Sequence, residues 1–560
     1  MESREILRPF QRLQRLLAVD KKEITQVYIY ALFNGLVNLS LPLGIQAIIN
    51  LIQGGEMSTA WVVLVVFVLV GIALTGIFQL MQLRIVENIA QKIFTRASFE
   101  FAYRIPRIKY SELYNYYAPE LANRFFDTLT IQKGLPKILI DFSLAAFQIV
   151  VGLIVLSLYH PFFILFGVAL IALVYVILIF TGPKGLKTSL KESKHKYEVA
   201  HWLEEIARTK LSFKLIENQE IAMTKTDDQV SEYLKSRESH FRILISQFLN
   251  LIGFKVLIAA GLLIIGSILV FRQEMNIGQF VAAEIIIILI INSVEKLIKS
   301  LDSIYDVLTA LEKIGAVTDM ELDSEEGLCF DDEIDGISTS VHDLSFSFKD
   351  SDKVILQDIN FNVEKGESLV IMGSAGSGKS TLIGLLSGVN VPTDGVVKFN
   401  GLSMQSLNYV SIRKHIGFAL SNNQIFLGSL LENITMGREH LTTSDVIKAI
   451  EMVNLEDFIT TLPQGLNTKL DPDGKRIPRS AGNKIILARA IVSKPQLLIL
   501  EDPLDHVPFA EKEMIIQKIT DSTNPWSVIV TTVDEAWVRY IDHKVTLDKG
   551  QVISDEFIKR

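Results

Sequence analysis

No Asp, Glu, Lys or Arg occurs from Ile24 through Gly55, from Met57 through Leu83, or from Phe142 through Pro183. The last of these runs is split by Tyr159-His160-Pro161. Two further apolar segments run from about Phe248 to Phe271 and from about Ile277 to Ile291. A helix needs ~20 apolar residues to cross a hydrocarbon core. Six spans are therefore expected, near 24–52, 58–84, 138–158, 161–182, 247–271 and 277–299. The hydrophobic fraction of 49% is high, its excess lies almost wholly before residue 300, and 560 residues imply two or three domains. A net charge of −8 without a basic stripe argues against nucleic acid as a partner. Cys329 is the only cysteine, which excludes an intrachain disulfide or a Cys-based metal site. The first twenty residues are charged, and the first apolar segment is longer than a cleavable signal core.

Basic residues set the orientation. Arg4, Arg8, Arg12, Arg15, Lys21 and Lys22 precede the first span; Arg84, Lys92 and Arg96 follow the second; Lys184, Lys187, Lys191 and Lys194 follow the fourth. The opposite connections near 53–57 and 159–160 carry no Lys or Arg, and the one near 272–276 carries only Arg272. Both termini are expected on the cytoplasmic side of the cell's inner (plasma) membrane. Ile6, Phe10, Leu13 and Leu17 repeat at helical spacing among arginines, as in an amphipathic helix on the inner surface. The two inner connections, roughly 85–137 and 184–246, are too long for structureless loops. They are expected to continue the spans as cytoplasmic helices, with crossings near Tyr116–Asn123 and Glu204–Lys210. His201 and His240 on these extensions are expected to be solvated. Lys255 and Glu284 lie inside spans, too far apart in depth to pair. They either line a substrate route or snorkel and pack against a neighbouring subunit.

The second half carries a different signal. Gly373-Ser374-Ala375-Gly376-Ser377-Gly378-Lys379-Ser380-Thr381 follows the apolar run Ser368-Leu-Val-Ile-Met372 and precedes Leu382-Ile-Gly-Leu-Leu386. This is the phosphate-binding loop in its strand–loop–helix setting. Its glycines turn backbone N–H groups toward phosphate oxygens at a helix N-terminus, where an anion is favoured. Lys379 is placed to reach the β- and γ-phosphates, and Ser380 to ligate Mg²⁺. Asp323-Ser-Glu-Glu-Gly327 and Asp331-Asp-Glu-Ile-Asp335 mark a polar linker, with a new domain beginning near Ile337.

Six spans with long cytoplasmic extensions, followed by about 220 residues bearing a phosphate loop, resemble an ABC exporter half-transporter. The membrane half is similar to that of type I secretion and peptide or toxin exporters, without the N-terminal peptidase-like domain some of those carry. The resemblance implies a multidomain fold: an all-α six-helix transmembrane domain over 1–322, a linker over 323–336 and an α/β ATP-binding domain over 337–560. It implies ATP and Mg²⁺ as ligands, a bilayer, a transported substrate, and a second half-transporter, identical or different. In the family, ATP is sandwiched between one subunit's phosphate loop and the other's LSGGQ signature.

Family positions carry over one by one. Phe348, in Phe346-Ser-Phe348, falls where an aromatic stacks on adenine. Ile416-Gly-Phe418 leads to the Q-loop, whose glutamine position holds Ser421, a weaker metal ligand. The signature falls at Ile477-Pro-Arg-Ser-Ala481, with neither glycine and with Pro478 at the serine position. After Leu497-Leu-Ile-Leu500, Glu501 takes the magnesium-organising position, acting through water, and Asp502 that of the general base. The D-loop reads Asp505-His-Val-Pro508, and the switch histidine is replaced by Val533.

These departures lower turnover while keeping the groups that bind Mg-ATP. Pro478 lacks both hydroxyl and N–H, and oxyanion donors are typically worth ~10²–10³ in rate each. Asp502 is one methylene short of the usual Glu, and a general base must reach its proton. Both defects lie on one chain, so neither a homodimer nor a consensus partner restores a complete site. Two functions follow: an exporter with slow ATP hydrolysis, or a non-pumping ATP-binding membrane component with an assembly or regulatory role. On the orientation given, a membrane-impermeant thiol reagent should leave Cys329 unmodified in intact cells and react once the membrane is opened. Labelling from outside would reverse the assignment.

Overall fold

The protein is described from a computed structural model covering residues 8–54, 59–114, 116–217, 220–330, 336–348, 353–421 and 424–558. Arg4, Ile6, the tip of the first outer connection at 55–58 and the acidic run 331–335 lie outside the described residues. The chain divides into two compact units, one of residues 1–108 and 113–321, the other of 109–112 and 322–560.

The first unit is helical. Helix α1 (Pro9–Val19) precedes α2 (Lys21–Val37) and α3 (Ser40–Gln53), and α4 (Thr59–Arg104) follows. A proline-interrupted segment leads into α5 (Ser143–Tyr159). Helices α6 (Phe162–Arg208), α7 (Glu220–Gly261) and α8 (Ile277–Thr318) complete the unit, with α7 extended by a wider turn to Phe271. Six segments are long and apolar enough to cross a membrane: Lys21–Gln53, Thr59–Arg107, Pro119–Tyr159, Phe162–Arg208, Glu220–Phe271 and Ile277–Thr318. Helix continuity over 40 or more residues satisfies each backbone group locally, which lipid demands. The apolar cores are of two kinds. Ile149, Phe163, Leu251, Phe254, Ile286 and Ile290 pack at one level, and Leu13, Val27, Ile89, Leu135 and Val307 at another.

Four expectations need correcting here. The first span is two helices, because Pro42 has no N–H for the Asn38 carbonyl and its ring strikes that carbonyl. The chain breaks at Asn38–Leu39 and resumes with Leu43 N–H donating to Leu39 O at 3.1 Å. The second crossing lies further on: α6 continues through Glu204 to Arg208, and the separate short helix is Lys210–Leu215. The first crossing contains a short helix at Ala118–Asn123. His240 is not solvated; it is 1% exposed, its Nδ1 2.8 Å from Thr188 Oγ1 and its Nε2 3.4 Å from Asp302 Oδ1. His201 is half-exposed and faces Glu120 at 3.5 Å. Arg12 does not sit on a polar face either. It is buried against α8, donating to Asp319 at 2.6 Å with Glu312 at 3.4 Å. Gly315 leaves the space its guanidinium fills. Burial pulls the Arg12 pKa down, but the two carboxylates outweigh it and hold the group above its ordinary value.

Lys255 and Glu284 remain apart. Lys255 pairs instead with Glu295 of α8, whose other oxygen accepts from Lys299 at 2.6 Å. Glu284 is half-buried with no ion-pair or hydrogen-bond partner among the described residues.

The second unit holds a six-stranded sheet in the order Gln551–Phe557, His543–Asp548, Ser368–Gly373, Ser527–Thr531, Leu497–Glu501, Ile416–Ala419. All neighbours are parallel except the first pair. A four-stranded sheet contains Thr339–Ser347, Val354–Val363, Asp394–Phe399 and Leu402–Ser403. Leu497 to Leu500 and Val528 to Val530 are almost wholly buried, as strands covered on both faces must be. Removing Glu295 takes the carboxylate from two part-exposed lysines, so Glu295→Gln should destabilise the helical unit by about 1 kcal/mol. Lys255→Met with Glu295→Gln should recover most of that loss in thermal unfolding in lipid. An unchanged single variant would show the pair to be inert.

Candidate functional site

Strand Ser368–Gly373 delivers the glycine-rich loop, and α9 (Lys379–Leu386) leaves it. Gly378 caps that helix at φ 103°, a left-handed conformation that suits glycine. A Cβ there would also meet Leu356 Cδ2 at 2.6 Å. No side chain caps α9, so its first N–H groups lack the partners a helix interior provides. Ser374, Ala375, Gly376 and Ser380 are exposed, and Thr381 and Lys379 are half-buried. The Lys379 amine curves over its own loop, donating to Gly373 O at 2.6 Å and Ser374 O at 3.0 Å.

Ser377 is the informative residue. It is 3% exposed, and its Oγ is buried without a hydrogen-bond partner. A buried hydroxyl left unpaired costs about 1–3 kcal/mol. Unpaired donors, an N-terminal helix end and a lysine together fit a polyphosphate.

Sheet register brings the remaining groups to the same edge. Thr531 lies beside Ile371 on one side and Glu501 on the other, so the strand of Glu501 is two places from that of the phosphate loop. At ~4.8 Å per strand the separation is ~10 Å. Ala419 pairs with Leu500, which carries Ser421 to the same carboxyl edge. In open parallel sheets ligands bind outside those carboxyl ends.

Glu501 is 8% exposed and has no cationic partner among the described residues. Its Oε2 accepts from Ser421 N–H at 3.1 Å and Ser421 Oγ at 2.7 Å. The serine at the glutamine position thus holds the carboxylate in place, a role not visible in the motif itself.

Asp502 has φ 41°, a strained value for a residue with a side chain. Its N–H donates to Thr531 O at 2.9 Å and its carbonyl accepts from Asp505 N–H at 3.2 Å. Val533 is 63% exposed. Pro478 caps helix α10 (Arg479–Ile491), its carbonyl accepting from Gly482 N–H at 3.0 Å. Pro478, Arg479 and Asn483 share a cavity of about 470 Å³ with Ser421, Asp502 and Asp505. Arg479, which sequence reasoning passed over, thus puts a cation in the wall of the cavity that Asp502 also lines. Phe348 is half-buried, its ring 5.0 Å from that of Phe346 in an edge-to-face pair.

Comparison with known proteins agrees in both halves. The family profile described as "ABC transporter transmembrane region" matches residues 26–294, and the one described as "ABC transporter" matches residues 356–505. The alpha-hemolysin translocation ATP-binding protein HlyB of Proteus vulgaris is 26% identical over 330 residues, covering 58% of this chain and 46% of that protein. A putative multidrug export ATP-binding/permease protein of Staphylococcus aureus is 30% identical over 211 residues, 38% of this chain and 36% of that one. The chain spans about half the length, or less, of these curated relatives. A solved bacterial Atm1-family ABC exporter with ATP bound superposes with a TM-score of 0.80, covering 96% of each chain at 17% identity.

Gly378→Ala should weaken binding of an ATP analogue and destabilise the second unit by about 1–2 kcal/mol, the usual penalty for a side chain in the left-handed region. Lys379→Ala should abolish that binding with little change in stability. Unaltered affinity in both variants would place the nucleotide elsewhere.

Proposed function

The chain belongs to the ABC transporter family, with membrane region and ATP-binding domain fused, and from that premise we propose an exporter subunit that pairs with a second half-transporter and hydrolyses ATP slowly. The compact-unit division near residue 321 supports a transmembrane domain over 1–322, a linker over 323–336 and an ATP-binding domain over 337–560. The basic residues at the inner connections support cytoplasmic termini in the inner (plasma) membrane.

One observation carries the reading. The phosphate loop keeps its donors and the orphaned Ser377 hydroxyl, while three groups that would act on the terminal phosphate are altered. Mg-ATP, when bound, supplies the phosphoanhydride whose cleavage drives a transport cycle. The loop N–H groups and Lys379 would neutralise the phosphate oxygens, and Ser380 with Glu501 would hold the metal, Glu501 through water. Ser421 keeps Glu501 oriented. Asp502 is left to receive a proton from the attacking water with a carboxylate one methylene short. Pro478 withholds hydroxyl and N–H from the partner's nucleotide, and Val533 has no polar atom on its side chain. Arg479 returns some positive charge to that segment. Phe348 is placed to cover the adenine.

The retained binding set with the altered turnover set also favours a second reading, in which ATP clamps the subunits without pumping. Magnesium-dependent hydrolysis by the purified chain in lipid vesicles separates the two. The exporter reading expects a slow rate, lowered further by Asp502→Asn and raised severalfold by Asp502→Glu. Tight binding with no turnover, alone or with partner subunits, would leave only the clamp.

A further inference from the structure

At the cytoplasmic end of the fifth and sixth spans, α7 and α8 line an open cavity of about 350 Å³. Its wall is apolar, built from Phe241, Leu244, Ile245 and Phe248 of α7 and Ile298 of α8. Two charged residues reach it, Lys299 and Asp302. The volume falls at the small end of the range for ligand pockets, which run from ~300 to ~1,000 Å³.

The two charges are not equivalent. Glu295 holds Lys299 with one oxygen at 2.6 Å and Lys255 with the other. Both lysines in this region are thus committed to a carboxylate. Asp302 has only the Nε2 of His240, at 3.4 Å, near the limit of a hydrogen bond. Its side chain remains 47% exposed. Further along α8, Glu284 has no partner among the described residues. Residues 284, 295 and 302 are 11 and 18 positions apart from the first, three and five turns, so they share one helix face. Between residues 284 and 306 that face also carries Asp306, so four carboxylates there stand against Lys299 and the Lys255 that reaches across from α7. Phe241 and Phe248 add aromatic faces, which attract cations.

We propose that this cavity binds an amphipathic organic cation, its charge met by Asp302 and its apolar body by the two phenylalanines. As a statement of transported substrate class this rests on the exporter reading; the binding itself does not. Lys299, the cation in the cavity wall among the described residues, is held by Glu295, so an anionic ligand of equal shape meets no uncommitted cation in that wall.

Tetraphenylphosphonium and tetraphenylborate share one shape and differ in sign of charge. Equilibrium dialysis of the purified full chain in detergent micelles, with protein-free micelles subtracted, should show saturable binding of the phosphonium only. Asp302→Asn should weaken it at least about tenfold, as loss of a charged partner does, and Asp302→Glu should retain it. Ile245→Trp, which fills the cavity and leaves every charge in place, should abolish it. Equal binding of the borate, or phosphonium binding indifferent to Asp302→Asn and Ile245→Trp, overturns the proposal. ATP-driven phosphonium uptake into vesicles is read separately. Asp302-dependent binding without uptake supports the cavity and counts against the exporter, whereas ATP-driven export of another solute without that binding does the reverse.

Discussion

A bilayer interior offers no water, so every backbone and side-chain polar group within it must find a partner in the protein. That requirement organises the first unit. Helices of 46, 47, 42 and 42 residues satisfy their own backbones. Polar side chains inside them are spent on neighbours: Gln82 donates to Val27 O at 3.0 Å, and Gln247 to Thr181 and Tyr305 at 2.9 and 3.0 Å. The Lys255–Glu295–Lys299 triad applies the same rule to full charges. The rule is not met everywhere among the described residues: Glu284 has no partner, and Asn34 Oδ1 and Gln82 Oε1 are buried without one.

The second unit is governed by register. Parallel strands end together, and Gly373, Thr531 and Glu501 reach the carboxyl edge in adjacent places because their strands pair residue for residue. A substitution at that edge changes chemistry and leaves the scaffold alone. On the proposed reading, this is why Ser421, Pro478 and Val533 can depart from the family pattern while the sheet core from Leu497 to Leu500 stays closed. On that same reading, binding rests on loop backbone and one lysine, and turnover on side chains at the edge.

The sequence made the large features legible because they are written in long runs. Long apolar stretches, most of them charge-free, located all six helices long and apolar enough to cross a membrane, and the glycine spacing located the phosphate loop with the strand and helix on either side. Single residues were read less well when their partners were distant. Arg12 looked like part of a polar face, yet its carboxylates come 300 and 307 positions later. Lys255 looked unpaired because Glu295 lies 40 residues on, in another helix. His240 is covered by Thr188 and Asp302, from helices its own pattern does not reveal. Pro42 was in plain view as the cause of the break at Asn38–Leu39, but the apolar run on both sides hid it. The hold of Ser421 on Glu501 depends on sheet register and had no local signal.

Hydrogen exchange on the intact chain in lipid, with and without Mg-ATP, tests the central claim that nucleotide at the phosphate loop is felt by the membrane helices. The account predicts increased protection around residues 373–386, with altered protection in the extensions 85–137 and 184–246. Changes confined to residues 337–560, or none at the phosphate loop, would contradict it.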